Sequence, residues 1–157
     1  MKKLILLLAA TLLSGCSMFK PSNEVTDKKI TSFSFNYSED KVVSALMSVL
    51  ENDGYKIKQN DLMTGEITTE PKKIKEGDDV YESLKSISDM PKSPLSEYTA
   101  ATYYLFIKIT PNKNKTQISL KNYIEAMERG RFNKIIKIES NGQKEKEILT
   151  KMLKVLK

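Results

Sequence analysis

The sequence predicts an α+β domain, an antiparallel β-sheet with two amphipathic helices packed on one face. Three observations point there. Aromatic and apolar residues recur at every second position over 33–37 and 103–109 and stand at even spacing at 118, 120 and 124, the period of half-buried strands. Two other segments, 39–53 and 143–156, space their apolar residues by three and four, the period of helices. Turn residues at Asn60-Asp61 and Pro111–Lys115 join neighbouring strands closely enough for hairpins. The order is strand, helix, two strands, insertion, two or three strands, helix, a mixture that segregates its helices from the sheet.

Taken in turn, the domain spans 30–157. Phe33, Phe35 and Tyr37 alternate with Ser32, Ser34 and Asn36 in the first strand. Ser38 is a helix N-cap, and Glu39 and Asp40 follow where the helix dipole favours acids. Val42, Leu46, Val49 and Leu50 form the buried stripe of that helix, and Gly54 ends it. Tyr55–Gln59 and Leu62–Glu70 make a hairpin, with Gly65 at a bulge or a close approach, and Pro71 closes it. An insertion at about 72–97 follows. Val80, Leu84 and Ile87 give it a short helix near Asp78–Ser88, before Pro91 and Pro94 break the chain. It reads as a loop on the sheet edge or as a flap that meets a partner. Tyr103, Leu105, Ile107 and Ile109 share one face of the strongest strand, with Tyr104 and Phe106 on the other. Thr116–Glu125 returns antiparallel, with Ile118, Leu120 and Ile124 inward. The stretch 127–140 admits a strand through Ile135, Ile136 and Ile138 or a partial helix. Asn141-Gly142 is a break, and Ile148, Leu149, Met152, Leu153 and Leu156 mark a closing amphipathic helix.

Ahead of this domain stand Met1-Lys2-Lys3 and an apolar run from Leu4 to Leu13. That run is too short to span a bilayer, which takes about 20 residues, and suits the core of a secretory signal. Leu13-Ser14-Gly15-Cys16 then resembles the lipobox of bacterial lipoproteins. The resemblance implies a signal peptide over 1–15, cleavage between Gly15 and Cys16, and lipidation of Cys16, since only a thiol accepts the diacylglycerol thioether. Ser17 in place of aspartate implies outer-membrane sorting at the periplasmic face. One acyl chain, at about 0.8 kcal/mol per buried methylene, binds a membrane only marginally, so a stable anchor needs several. Residues 16–29 are polar and form a flexible tether.

The composition restricts the chemistry. There is no histidine, and Cys16 is the single cysteine, so imidazole catalysis, Cys/His metal sites and disulfides are excluded from the exported domain. Without the signal's two lysines the charge is 24 − 20, or +4, with Arg129 and Arg131 the two arginines. Nothing gathers the basic residues into a nucleic-acid footprint. Ser38-Glu-Asp-Lys41 has the S-x-x-K spacing of serine acyl-enzymes, but the cap accounts for Ser38 and the accompanying motifs are missing. Asp78-Asp79 and the pair Glu145 and Glu147 read as solvated helix starts or faces. Glu51-Asn-Asp-Gly54 lacks the ligand spacing of a calcium loop. No catalytic residue, cofactor or metal is expected.

Phe35 to Gly54, followed by Tyr55-Lys-Ile57 and Gly65-Glu-Ile-Thr-Thr69, resembles one repeat of the BamC-type lipoproteins, which serve the insertion of β-barrels into the outer membrane. That resemblance implies a helix-grip-like fold. It covers packing positions over about a quarter of the chain and conveys no site residues. The expected function is a non-catalytic, membrane-anchored envelope lipoprotein that binds another envelope protein or assists an assembly. Two alternatives remain open. One is a periplasmic binder of a small apolar or lipid ligand, with Tyr98, Tyr103, Tyr104 and Phe106 lining a cavity between sheet and helix. The other is a cell-wall hydrolase, which needs carboxylates converging across a cleft.

Overall fold

The computed structural model describes residues 32–61, 63–74, 80–90, 98–129 and 134–157. The signal peptide, the Gly15–Cys16 cleavage position, the tether, Asp78-Asp79 and Arg131 lie outside the described residues. The elements run β1 (Ser32–Phe35), α1 (Glu39–Asn52), β2 (Ile57–Asp61), β3 (Glu66–Thr69), β4 (Lys72–Lys73), α2 (Val80–Ile87), β5 (Tyr98–Asn112), β6 (Lys115–Glu128), β7 (Lys134–Glu139) and α3 (Gln143–Val155). Among the described residues, seven antiparallel strands and three helices make an α+β fold.

The β5–β6 hairpin is the spine of the sheet. It pairs without a break from Ala100 opposite Met127 to Asn112 opposite Lys115. The turn is tighter than the expected Pro111–Lys115. Only Lys113 and Asn114 lie between the strands, with Lys113 at φ 51°. β1 and β7 both pair with the outer edge of β6, and β3 and β4 both pair with the far edge of β5; β2 pairs with β3.

Alternation on this spine separates a core face from an open face. Ala101, Tyr103, Leu105, Ile107 and Ile109 of β5 are buried, as are Ile118, Leu120, Ile124 and Ala126 of β6. They meet Val42, Leu46, Val49 and Leu50 of α1, Leu84 and Ile87 of α2, and Ile148, Leu149 and Met152 of α3 in one core. Each fully buried aliphatic side chain there is worth about 1.5–3 kcal/mol over its exposed state.

α1 starts at Ser38 through backbone geometry alone. Its carbonyl accepts the Val42 amide at 3.1 Å, but its hydroxyl makes no capping bond, contrary to the expected side-chain cap. The other end closes with two reversed bonds, Gly54 N–H to Glu51 O at 2.9 Å and Tyr55 N–H to Leu50 O at 2.8 Å. These are the two bonds of a Schellman closure, which needs a left-handed residue at its centre, and Gly54 supplies it at φ +70°.

The predicted insertion is more than an edge loop. Lys72–Lys73 forms β4 against β5, and Ile74 N–H continues to Ala101 O at 3.0 Å. The short helix expected near Asp78–Ser88 is α2, and its Leu84 and Ile87 belong to the core, which makes it a structural helix beside the two amphipathic ones. The undecided stretch 127–140 is the end of β6 and the whole of β7, apart from residues 130–133 outside the described set. The turn expected at Asn60-Asp61 starts three residues later. Asp61 ends β2, and its carboxylate accepts the amides of Met63 and Thr64 at 3.0 and 3.2 Å, with the turn itself at 63–65.

Candidate functional site

One rung of the β5–β6 spine organises the polar interior. Leu105 and Asn122 face each other there, and the amide of each points away from the hairpin. On the β5 side, β3 ends its pairing at Phe106 and β4 begins at Tyr103. On the β6 side, β1 ends at Ser119 and β7 begins at Tyr123. Both amides therefore fall in gaps between partner strands, where an unbonded buried N–H is costly. Thr69 Oγ1 accepts Leu105 N–H at 3.0 Å, and Glu145 Oε1 accepts Asn122 N–H at 3.1 Å.

Glu145 projects from the first turn of α3, where the helix dipole favours a carboxylate. It is 3% exposed, and its Oε2 accepts Ser140 Oγ at 2.9 Å while Ser140 Oγ accepts Gly142 N–H at 3.1 Å. The solvated-face reading thus holds for Glu147 and fails for Glu145. The signal was present in the sequence. Glu145 stands three, four and seven residues before Ile148, Leu149 and Met152, on the apolar stripe itself. The side chain of Asn122 is the unresolved member of this interior. Its Nδ2 and Oδ1 are both sealed from solvent without a hydrogen-bond partner.

On the open face, one register position away, Tyr104 and Tyr123 sit directly opposite each other. Their rings stack with centroids 5.0 Å apart and planes 12° from parallel. Lys121 Nζ lies 4.8 Å from the Tyr123 ring centre, within cation–π range. This ridge divides two hollows. One, of about 620 Å³, lies towards β7 and is walled by Lys121, Lys137 and Glu139; the other, of about 350 Å³, lies towards β3 beside Lys58, Pro71 and Phe106. Both hollows include Tyr104 and Tyr123. Lys137 faces Glu125 across the β6–β7 pairing, so the rim carries both signs of charge.

The four aromatics expected to line one cavity are divided. Tyr103 lies in the core, edge-on to Tyr55 at 6.3 Å. Tyr98 packs at the core margin, while Tyr104 and Phe106 line the open-face hollow. The alternation that marks the strand is the reason, since adjacent residues point to opposite faces.

A third polar group joins the end of α1 to α3. Lys151 Nζ donates to Asp53 Oδ1 and Oδ2 at 2.7 and 2.8 Å and to Glu147 Oε1 at 2.8 Å. Lys144 Nζ donates to Glu147 Oε2 at 2.8 Å, and Lys72 Nζ donates to Asp53 O at 2.7 Å while lying 4.9 Å from the Tyr55 ring centre. The hydrogen bonds from Lys144 and Lys151 pull the Glu147 carboxyl from 4.5 down to about 2. Burial first, then neighbouring Tyr103, pushes the Tyr55 phenol far above its ordinary value.

Among the described residues, no three His, Cys, Asp or Glu side chains are grouped to hold a metal, and no helix is long and apolar enough to cross a membrane. Comparison with models of known families and with curated proteins finds no match.

Proposed function

We propose that this chain is a lipid-anchored envelope lipoprotein whose domain binds another protein through the open face of its sheet. The observation that carries the reading is the Tyr104–Tyr123 ridge, a stacked aromatic pair standing between two hollows. Tyrosine pairs of this kind offer broad contact area at low entropic cost, with hydroxyls free to bond at the rim. The Gly15–Cys16 lipobox supports an anchored position at the periplasmic face of the outer membrane, and the BamC-type resemblance supports a role beside an assembly rather than in catalysis. The domain acts as a docking module held by its tether.

A photo-activated cross-linker placed at Tyr123 in intact cells tests this. Adducts with an envelope protein are expected from position 123 and not from Ser44, which is exposed on α1. Equal adducts at both positions, or none at 123, would sink the proposal. Binding of a small apolar ligand in the larger hollow is the competing outcome. It would appear in native mass spectra of the purified protein as a discrete mass increment lost in Tyr104→Ser.

A further inference from the structure

We infer that the outer face of α3, with its groove against α2, docks on an anionic phospholipid bilayer; this rests on the anchored reading above. Residues 143–157 contain five lysines and two glutamates, a net of +3, half of the +6 carried by the whole chain. One of those glutamates, Glu145, is buried and spent on β6, which leaves Glu147 as the only acid on the outer face of α3.

The lysines are gathered. Lys144, Lys146, Lys151 and Lys154 line a groove of about 430 Å³ between the two helices, with Glu147 its one carboxylate. Glu147 and Asp53 occupy Lys144 and Lys151. Lys146 and Lys154 have no ion-pair partner among the described residues and project from the exposed side of α3. Two of the lysines, Lys144 and Lys146, stand near the start of α3, where the positive end of the dipole disfavours cations. Lys144 is balanced there by its bond to Glu147; helix stability does not explain the placement of Lys146, and an anionic surface does.

Two features separate a bilayer from an acidic protein as the occupant. In the last turn Leu153 and Val155 remain 37% and 53% exposed beside Lys154, a mixture of apolar and cationic groups that suits a headgroup boundary. The interval from Cys16 to Ser32 also spans at most about 60 Å when extended, which keeps a lipidated domain within reach of its own membrane. The apolar stripe of α3 is taken by the core, so the contact is electrostatic and salt-sensitive. Docked this way, the open face of the sheet looks away from the bilayer, clear for a partner.

The full chain bound to vesicles of phosphatidylcholine, with and without phosphatidylglycerol, provides the test through amine labelling read by peptide mass spectrometry. Labelling of Lys146 and Lys154 is expected to fall several-fold on the phosphatidylglycerol vesicles and to recover at high salt, while Lys58 and Lys121 stay unchanged on both. In the Lys146→Glu, Lys154→Glu variant, which breaks no ion pair, Lys157 should label equally on the two vesicle types with the melting temperature retained. If the chain floats with both vesicles and Lys146 and Lys154 label equally, docking is overturned and the anchor stands. If the chain floats with neither, the anchored reading falls and docking with it. Equal protection by soluble polyglutamate would overturn the lipid assignment in favour of an acidic protein.

Discussion

Glu145 and Asn122 show how much a single side chain carries in this sheet. Glu145 closes the gap that β1 and β7 leave on β6, and removing its acceptor orphans the Asn122 amide. Glu145→Ala should therefore cost about 1–3 kcal/mol in urea denaturation, and Glu145→Gln, which keeps a carbonyl acceptor, distinctly less. An equal loss in both variants would mean that the charge, not the acceptor, matters. Asn122 offers the reverse case. Its amide atoms are buried without partners, so Asn122→Leu, of similar volume, should raise stability by roughly 1 kcal/mol or more. A lowered melting temperature for that variant would show that the amide is satisfied in solution. Gly65 is a third sensitive residue. At φ +69°, a Cβ there would collide with the Ile109 carbonyl oxygen, whereas at Gly54 the nearest atom is the flexible Lys72 Nζ at 3.8 Å. Gly54→Ala should cost about 1–2 kcal/mol for the left-handed backbone alone, and Gly65→Ala clearly more. Denaturation midpoints of the two variants measure the difference.

At the scale of elements, the link between α1 and α3 is a source of acid sensitivity. The Glu147 carboxyl sits near 2 in the folded state against an ordinary 4.5. A group depressed on folding stabilises fully above its unfolded value and loses that contribution as pH falls from 4.5 towards 2. Melting temperatures across that window should fall less steeply in Glu147→Gln than in the parent, and parallel curves would disprove the coupling. Most elements were legible beforehand, because period-two and period-3.6 patterns survive in β5, β6, α1 and α3. β7 was obscure for a physical reason. Ile135 is 64% exposed, so the run Ile135-Ile136-Lys137-Ile138 does not alternate as a half-buried strand should. β4 has two residues, both lysines, and owes its place to pairing with β5 rather than to propensity.

For the whole molecule, what resisted reading was register. Tyr104 and Tyr123 are nineteen positions apart, and nothing local says that a two-residue loop at Lys113-Asn114 sets them on one rung. The same register puts Leu105 opposite Asn122 and gives both strand edges their gaps at one level. Glu145 was visible on its stripe, but the use made of it depends on where β1 stops and β7 starts. The proposed docking surface is accordingly a property of the assembled sheet. With the cross-linker moved to Lys121 in the same hollow, Tyr104→Ser with Tyr123→Ser should abolish adducts with the proposed partner while leaving the core intact, since both rings lie outside it. Recovery of the same partner from that double variant would assign recognition to another face.

The outer edge of β6 also has a mechanical meaning. A load applied from the N-terminal side enters the described fold at Ser32, the end of β1 that faces the gap. It is borne by the pairing of Ser32–Phe35 with Thr116–Ser119 and by the bond from Thr116 Oγ1 to Tyr37 O at 3.0 Å. With so short a seam, β1 should yield first, drawing Phe35 out of the core while the β5–β6 spine holds. Pulling between the two ends of the chain in an optical trap should show a small early extension, the release of β1, before the main rupture. A fold built this way should lengthen under tension before it unfolds.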